Sequence, residues 1–235
     1  EEDHSCFMAP SLTYRDIDPA CYEIDPASSK KSILLFGDST AEHLVSGFRQ
    51  VFGERYQVLQ YSGATCPPIL GYSEPHTPNC PANVEHFLTD VIAANQYDLI
   101  VISNTGRWEP LAKGFPETAR RLDAAGIPYV MIGQIPYFGE PPTEIIARLP
   151  EGADIGEALR EKLHIGCRGT ELGVDKLVPA DRFFSMDQFM CEDGVPRYEV
   201  DGRAIHKDHI HLNPLGSVMA ARSIKDWLRE TGNLP

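Results

Sequence analysis

The chain has 235 residues, 42% of them hydrophobic, and 34 acidic against 21 basic side chains give a formal net charge of −13. That length and apolar content suffice for one sizeable core, so the expected organisation is a catalytic-size domain over residues 31–235 behind an N-terminal extension or linker over residues 1–30. The charge argues against nucleic acid as a partner, because phosphate binding draws on clustered Lys and Arg, and no apolar run approaches the ~20 residues needed to cross a bilayer.

The first 30 residues hold two Asp-Pro steps, Asp18-Pro19 and Asp25-Pro26, then Ser28-Ser29-Lys30-Lys31, the composition of an extended lead-in. Starting at Glu1 rather than Met fits an upstream signal, anchor or membrane region. From Ser32 the chain alternates. Ser32 to Phe36 reads as a short buried strand, Ala41 to Phe52 as a helix stopped by Gly53, and Tyr56 to Leu59 as a second strand. A Pro-rich loop follows, then a helix over Asn83 to Asn95. Leu99 to Ile102 is uniformly apolar, as a strand covered on both faces should be. A helix is expected over Phe115 to Ala125, a fourth strand over Pro128 to Ile132 and a fifth over Arg182 to Ser185. Residues 133–180 hold a Pro- and Gly-rich loop, a helical stretch near Ile155 to Leu163 and room for a further short helix. Asn213 and Pro214 suit the cap and first position of a closing helix over Leu215 to Glu230. Strands alternating with helices imply an α/β fold with a mainly parallel five-stranded sheet between helical layers.

Six cysteines occur, at Cys6, Cys21, Cys66, Cys80, Cys167 and Cys191. No Cys-x-x-Cys and no zinc-finger spacing is present, so no structural metal is expected and disulfides are the better reading. Cys66 and Cys80 flank the Pro-rich loop, which lacks helical or strand periodicity. Closing a loop of ~15 residues contributes about 3 kcal/mol in the chain-entropy model. The expected pairs are Cys66 with Cys80, Cys167 with Cys191, and Cys6 with Cys21, with free buried thiols as the alternative. Pairing implies an oxidising compartment.

Two short motifs carry the chemistry. Gly37-Asp38-Ser39 ends the first strand, and Asp208-His209-Ile210-His211-Leu212 precedes the last helix. A serine hydroxyl attacks well only when a base takes its proton, and the base works best when a carboxylate fixes its tautomer. Asp208 and His211, three apart in a loop, allow the carboxylate to reach Nδ1 while Nε2 faces Ser39. In α/β folds of this kind the site lies at the carboxyl ends of the strands. Ser39 follows strand one and Ser103 to Trp108 follows strand three, so both reach the same rim. Asp38 reads as a loop-holding residue, His206 and His209 as solvent-facing loop residues, and His209-x-His211 as lacking a third metal ligand.

These residues resemble the SGNH (GDSL-like) hydrolase superfamily over roughly residues 32–230, which implies a flavodoxin-like, three-layer α/β/α sandwich. The cysteine-bearing Cys66-Pro67-Pro68 loop, the Arg107-Trp108 step and the stretch from Cys191 to Leu212 further resemble SGNH domains fused to or partnered with acyltransferase-3 membrane proteins. The resemblance implies Ser39 as nucleophile, His211 as base and Asp208 as orienting acid. It also implies an oxyanion hole from the Ser39 amide, Gly63 and Asn104. The superfamily's usual Gly-x-Asn-Asp is Ser103-Asn104-Thr105-Gly106 here, so a shift of one residue would put Thr105 in the place of Asn104. Trp108 is a candidate for stacking on a sugar, with packing under the rim as the alternative, and Arg107 for meeting an anionic substrate, with a bridge to a surface carboxylate as the favoured reading. The function implied is an extracytoplasmic O-acetyltransferase acting through acetyl-Ser39 on a glycan hydroxyl, without a cofactor. Its acetyl donor would be delivered by an acyltransferase-3-type membrane domain or partner at the periplasmic or extracellular face, with a monomer as the default state. The alternatives are a carbohydrate acetylesterase and a glycan-binding module without catalysis.

Overall fold

A computed structural model describes residues 6–105, 108–167 and 173–235. The central sheet has six strands, all paired in parallel, in the order β1 (Phe7–Met8), β3 (Tyr56–Gly63), β2 (Lys31–Gly37), β4 (Leu99–Ser103), β5 (Tyr129–Ile132), β8 (Phe183–Phe184). Strand β2 alternates between two cores. Ile33 and Leu35 face one side with α1 (Ser39–Phe52) and the closing helix α8 (Pro214–Glu230), while Leu34 and Phe36 face the other. On that second side lie α2 (Cys80–His86), a π-turn (Phe87–Val91), α3 (Ile92–Ala94) and α4 (Trp108–Ala124). Each such Ile, Leu or Phe removed from water contributes roughly 1.5–3 kcal/mol, which is why a strand with six buried residues in a row belongs at the sheet's centre.

The sheet has one strand more than the sequence suggests. Phe7–Met8 is too short to show periodicity, and it is placed by pairing with Ser62 and Gly63 and by the Cys6–Cys21 bridge. Residues 6–24 pack against the main core: Met8, Ile17 and Tyr22 are buried in it, and the Tyr14 amide donates to Asn83 Oδ1 at 2.8 Å. The other bridges are Cys66–Cys80 and Cys167–Cys191, all three being the expected pairs. Helix α4 also begins earlier than expected, at Trp108 rather than Phe115. Gly114 and Pro116 make those turns look like loop. Gly114 is needed because Ile69 of the stapled loop lies on it: a Cβ there would come within 1.8 Å of Ile69 Cγ2.

Between β5 and β8 the chain forms a small annex. Strands β6 (Tyr137–Phe138) and β7 (Leu163–Ile165) pair antiparallel, and α5 (Pro142–Ala147) and α6 (Ile155–Glu161) bring Ile145 and Leu159 into one cluster with Phe138 and Leu163. After β8 come α7 (Asp187–Met190), β9 (Cys191–Glu192) paired with β10 (Val195–Pro196), and β11 (Glu199–Val200) paired with β12 (Arg203–Ala204). Among the described residues no helix is long and apolar enough to cross a membrane.

Candidate active site

Strand β2 lies between β3 and β4, where the chain's crossovers reverse direction, and it ends at Gly37. Gly37 has φ 150°, and a Cβ on it would lie 1.8 Å from the Ser103 carbonyl oxygen. Only glycine therefore permits the close pairing of β2 and β4 at their ends. Asp38 then starts α1. Its Oδ1 accepts from the Thr40 amide and hydroxyl, both at 2.8 Å, and caps the helix. Its Oδ2 accepts from the Thr105 amide at 2.8 Å and hydroxyl at 2.6 Å. One fully buried carboxylate thus ties the start of α1 to the exit of β4 and leaves Ser39 on the helix's first turn, partly exposed.

The second motif is a loop closed on itself. His206 bridges Leu212 antiparallel, the Lys207 amide donates to the His211 carbonyl, and the Asn213 amide donates to the Ile205 carbonyl. Asp208 Oδ1 accepts the amides of Ile210 and His211, each at 2.8 Å. Its other oxygen meets His211 Nδ1 at 2.8 Å, and His211 Nε2 meets Ser39 Oγ at 2.8 Å. With the imidazole proton on Nδ1, toward the carboxylate, Nε2 is left to accept the Ser39 hydroxyl proton. Burial pushes the Asp208 carboxyl up, but the Ile210 amide, the His211 ring and the His211 amide outweigh it and hold the group below the usual carboxylate range. Asn213 Oδ1 accepts the Gly216 amide and fixes where α8 begins, just beyond this loop.

The expected oxyanion donors stand at matching heights. Gly37 is level with Ser62 on one side and Ser103 on the other, so Gly63 and Asn104 are each one step beyond the residue paired with Gly37. Asn104 is buried, and its Nδ2 donates to the Thr105 carbonyl at 2.9 Å, using one of two available hydrogens. Thr105 has both its amide and its hydroxyl committed to Asp38. Of the two residues weighed for this position, only Asn104 retains a side-chain donor. Arg107 and the side chain of Trp108 lie outside the described residues.

Two neighbours differ from the expectation or escaped it. His206 is not solvent-facing. It is 6% exposed, its ring meets Phe138 edge-on at 5.5 Å, its Nε2 lies 3.3 Å from the Arg197 carbonyl, and among the described residues its Nδ1 has no hydrogen-bond partner. The antiparallel bridge to Leu212 folds it inward, which the surrounding charged sequence hides. His43 was missed altogether, although its position one turn after Ser39 on a helix places it on the same face. It is buried, its ring stands edge-to-face with His211 at 5.8 Å, and its Nδ1 accepts the Leu212 amide at 3.4 Å. His209 is partly exposed, with its ring 5.6 Å from Tyr137.

A family model described as SGNH domain (fused to AT3 domains) matches residues 5–226. Among solved structures, the chain is similar to the periplasmic domain of a lipopolysaccharide acetyltransferase of Salmonella ser. Paratyphi A. The two share 15% identity over 95% of this chain and 91% of that one, with a TM-score of 0.71, a likeness of fold. Looser similarity extends to an acetyl xylan esterase, AlAXEase (12% identity, 83% of this chain, 98% of that one, TM-score 0.47). It also extends to Est24, a carbohydrate acetylesterase from Sinorhizobium meliloti (15% identity, 86% of this chain, 99% of that one, TM-score 0.45). No curated protein matches the chain.

Proposed function

The chain belongs to the SGNH domain family fused to AT3 domains, and from that premise we propose that it is an O-acetyltransferase that passes an acetyl group through acetyl-Ser39 to a hydroxyl of a cell-surface glycan. The observation that carries this reading is the unbroken pair of 2.8 Å contacts from Asp208 through His211 to Ser39. In the first half-reaction Ser39 Oγ attacks the donor's carbonyl carbon while His211 Nε2 takes the hydroxyl proton. The tetrahedral intermediate collapses, and the departing group leaves with that proton. In the second, His211 takes a proton from the sugar hydroxyl, the sugar oxygen attacks the acetyl carbonyl, and Ser39 leaves with the proton returned to it. The Ser39 amide, Gly63 and the Asn104 side chain would hold the negative oxygen in both steps.

The donor would come from an AT3-type membrane domain or partner, in keeping with the family's fused architecture. Three disulfides fit work outside the cytoplasm. A second reading, glycan deacetylation, is favoured by one observation: the side chains of His211 and Asp208 are 24% and 34% exposed, so water reaches the base.

The test is intact-protein mass spectrometry after brief exposure to p-nitrophenyl acetate, wild type beside Ser39→Ala, with and without candidate oligosaccharides. A 1:1 acetyl adduct in wild type alone, and acetylated sugar when oligosaccharide is present, is the expected result. Free acetate released at the same rate with or without sugar would favour the esterase. An adduct that persists in Ser39→Ala would overturn the mechanism.

A further inference from the structure

The contacts within the Asp208–His211 loop fix the base relative to its carboxylate, but they do not fix that loop relative to the helix that bears the nucleophile. His43 bridges this gap. It sits on α1 one turn beyond Ser39, and its Nδ1 accepts the amide of Leu212, the residue directly after the base. Its ring also stands edge-to-face against the His211 ring, at 84° and 5.8 Å between centroids. Leu212 itself is 2% exposed and packs in the core that contains Leu44 and Phe48. The backbone carrying the base is therefore docked onto the nucleophile's own helix through this imidazole.

We propose that His43 is a positioning residue for acyl transfer, its ring serving as the acceptor and the wall that hold His211 Nε2 in line with Ser39 Oγ. This rests on the acyl-transfer reading of the site. The role needs a neutral imidazole with its hydrogen on Nε2, because only then does Nδ1 offer a lone pair to the Leu212 amide. The surroundings provide for this: burial first, then the His211 charge, hold His43 down to about 3. A histidine kept neutral also brings no second positive charge up against the imidazolium that forms on His211 during reaction. Two substitutions separate the ring's roles as acceptor and as wall. Phenylalanine would fill the space without accepting a hydrogen bond, and asparagine would place an oxygen near the position of Nδ1 without the ring.

The experiment compares wild type, His43→Phe, His43→Asn and Ser39→Ala. Steady-state hydrolysis of p-nitrophenyl acetate is measured alongside the low-field proton NMR signal of His211 Nδ1–H, with thermal melting to establish that each variant is folded. A misplaced base costs rate, not ground-state binding, so His43→Phe should lower kcat by about 10- to 100-fold with KM little changed. Asparagine should restore much of the loss. The Nδ1 proton, sharp in wild type, should broaden or shift in His43→Phe and recover in His43→Asn. Wild-type kcat and an unmoved Nδ1 signal in a folded His43→Phe would overturn the proposal, as would an asparagine variant no better than phenylalanine. Ser39→Ala as fast as wild type would count against the acyl-transfer reading instead, and the Nδ1 signal, which needs no substrate, would still decide the case of His43.

Discussion

The two loops that flank Ser39 spend their hydrogen bonds differently. In the Asp208–His211 loop one carboxylate oxygen holds the loop's own amides and the other meets His211 Nδ1, so in the proposed mechanism scaffold and chemistry share a residue. At the exit of β4 the same tasks are split between neighbours. Thr105 is wholly scaffold, bound twice to Asp38, and Asn104 is turned toward its own chain with one hydrogen to spare. A motif that combines both tasks tolerates little change. One that divides them leaves the proposed donor, Asn104, free of the bonds to Asp38 that hold Thr105.

Breaking the first loop should cost most. Asp208→Ala removes the tautomer lock together with two amide acceptors, and we expect kcat for p-nitrophenyl acetate to fall roughly 10³- to 10⁴-fold. A loss below tenfold would mean that His211 is oriented by something other than Asp208. Asn104→Ala probes the divided loop and should lower kcat by about 10²- to 10³-fold, the cost of one oxyanion donor, and stability by about 1 kcal/mol for the lost bond to the Thr105 carbonyl. An unchanged kcat would leave the hole to the Ser39 amide and Gly63. Thr105→Val removes one hydroxyl bond to Asp38, so it belongs at the small end, with about 1 kcal/mol lost in urea denaturation. If Thr105→Val harmed kcat more than Asn104→Ala, the division of labour would be the reverse of that described.

Acid should separate the two loops as well, with an effect between those extremes. His43, which faces His211, Asp208, His206 and Lys207, is held down to about 3, chiefly by burial. His206 is held down to about 4 by burial, which the Arg197 carbonyl and Asp208 offset in part. In the unfolded chain both protonate near 6.5. Between about 6.5 and 4 the unfolded state binds protons that the folded state refuses, so stability falls as pH is lowered through that window. Each histidine should contribute on the order of 1–3 kcal/mol to the fall. Urea denaturation at pH 7 and pH 4.5 measures it, and His43→Phe should flatten the slope. The carboxylate of Asp208 acts in a lower window: its depressed pKa contributes stability above about 4 that is lost only as pH falls further. An equal slope in wild type and His43→Phe would contradict the buried, neutral assignment.

Much of this was legible in the chain because the responsible residues act locally or in long periodic runs. Ser32 to Phe36 read as a short buried strand and is one, and Asn213 with Pro214 marked the start of α8 to the residue. Ser39, Asp208 and His211 stood out because short motifs set their geometry. What stayed hidden depends on distant partners. Phe7–Met8 is a strand only because β3 offers an edge, and the glycine that makes the first turns of α4 look like loop is there because Ile69 leaves no room for a Cβ at Gly114. His43 and His206 read as ordinary polar positions until the fold closes over them.

The order of the disulfides has a consequence for how the molecule is made. Counted along the chain, the first cysteine pairs with the second, the third with the fourth and the fifth with the sixth, across separations of 15, 14 and 24 residues. No bridge encloses another cysteine. If this chain is threaded through an export channel N-terminus first, each of these six thiols meets its proper partner before another of the six appears, and nearest-neighbour oxidation among them yields the native pairing without reshuffling.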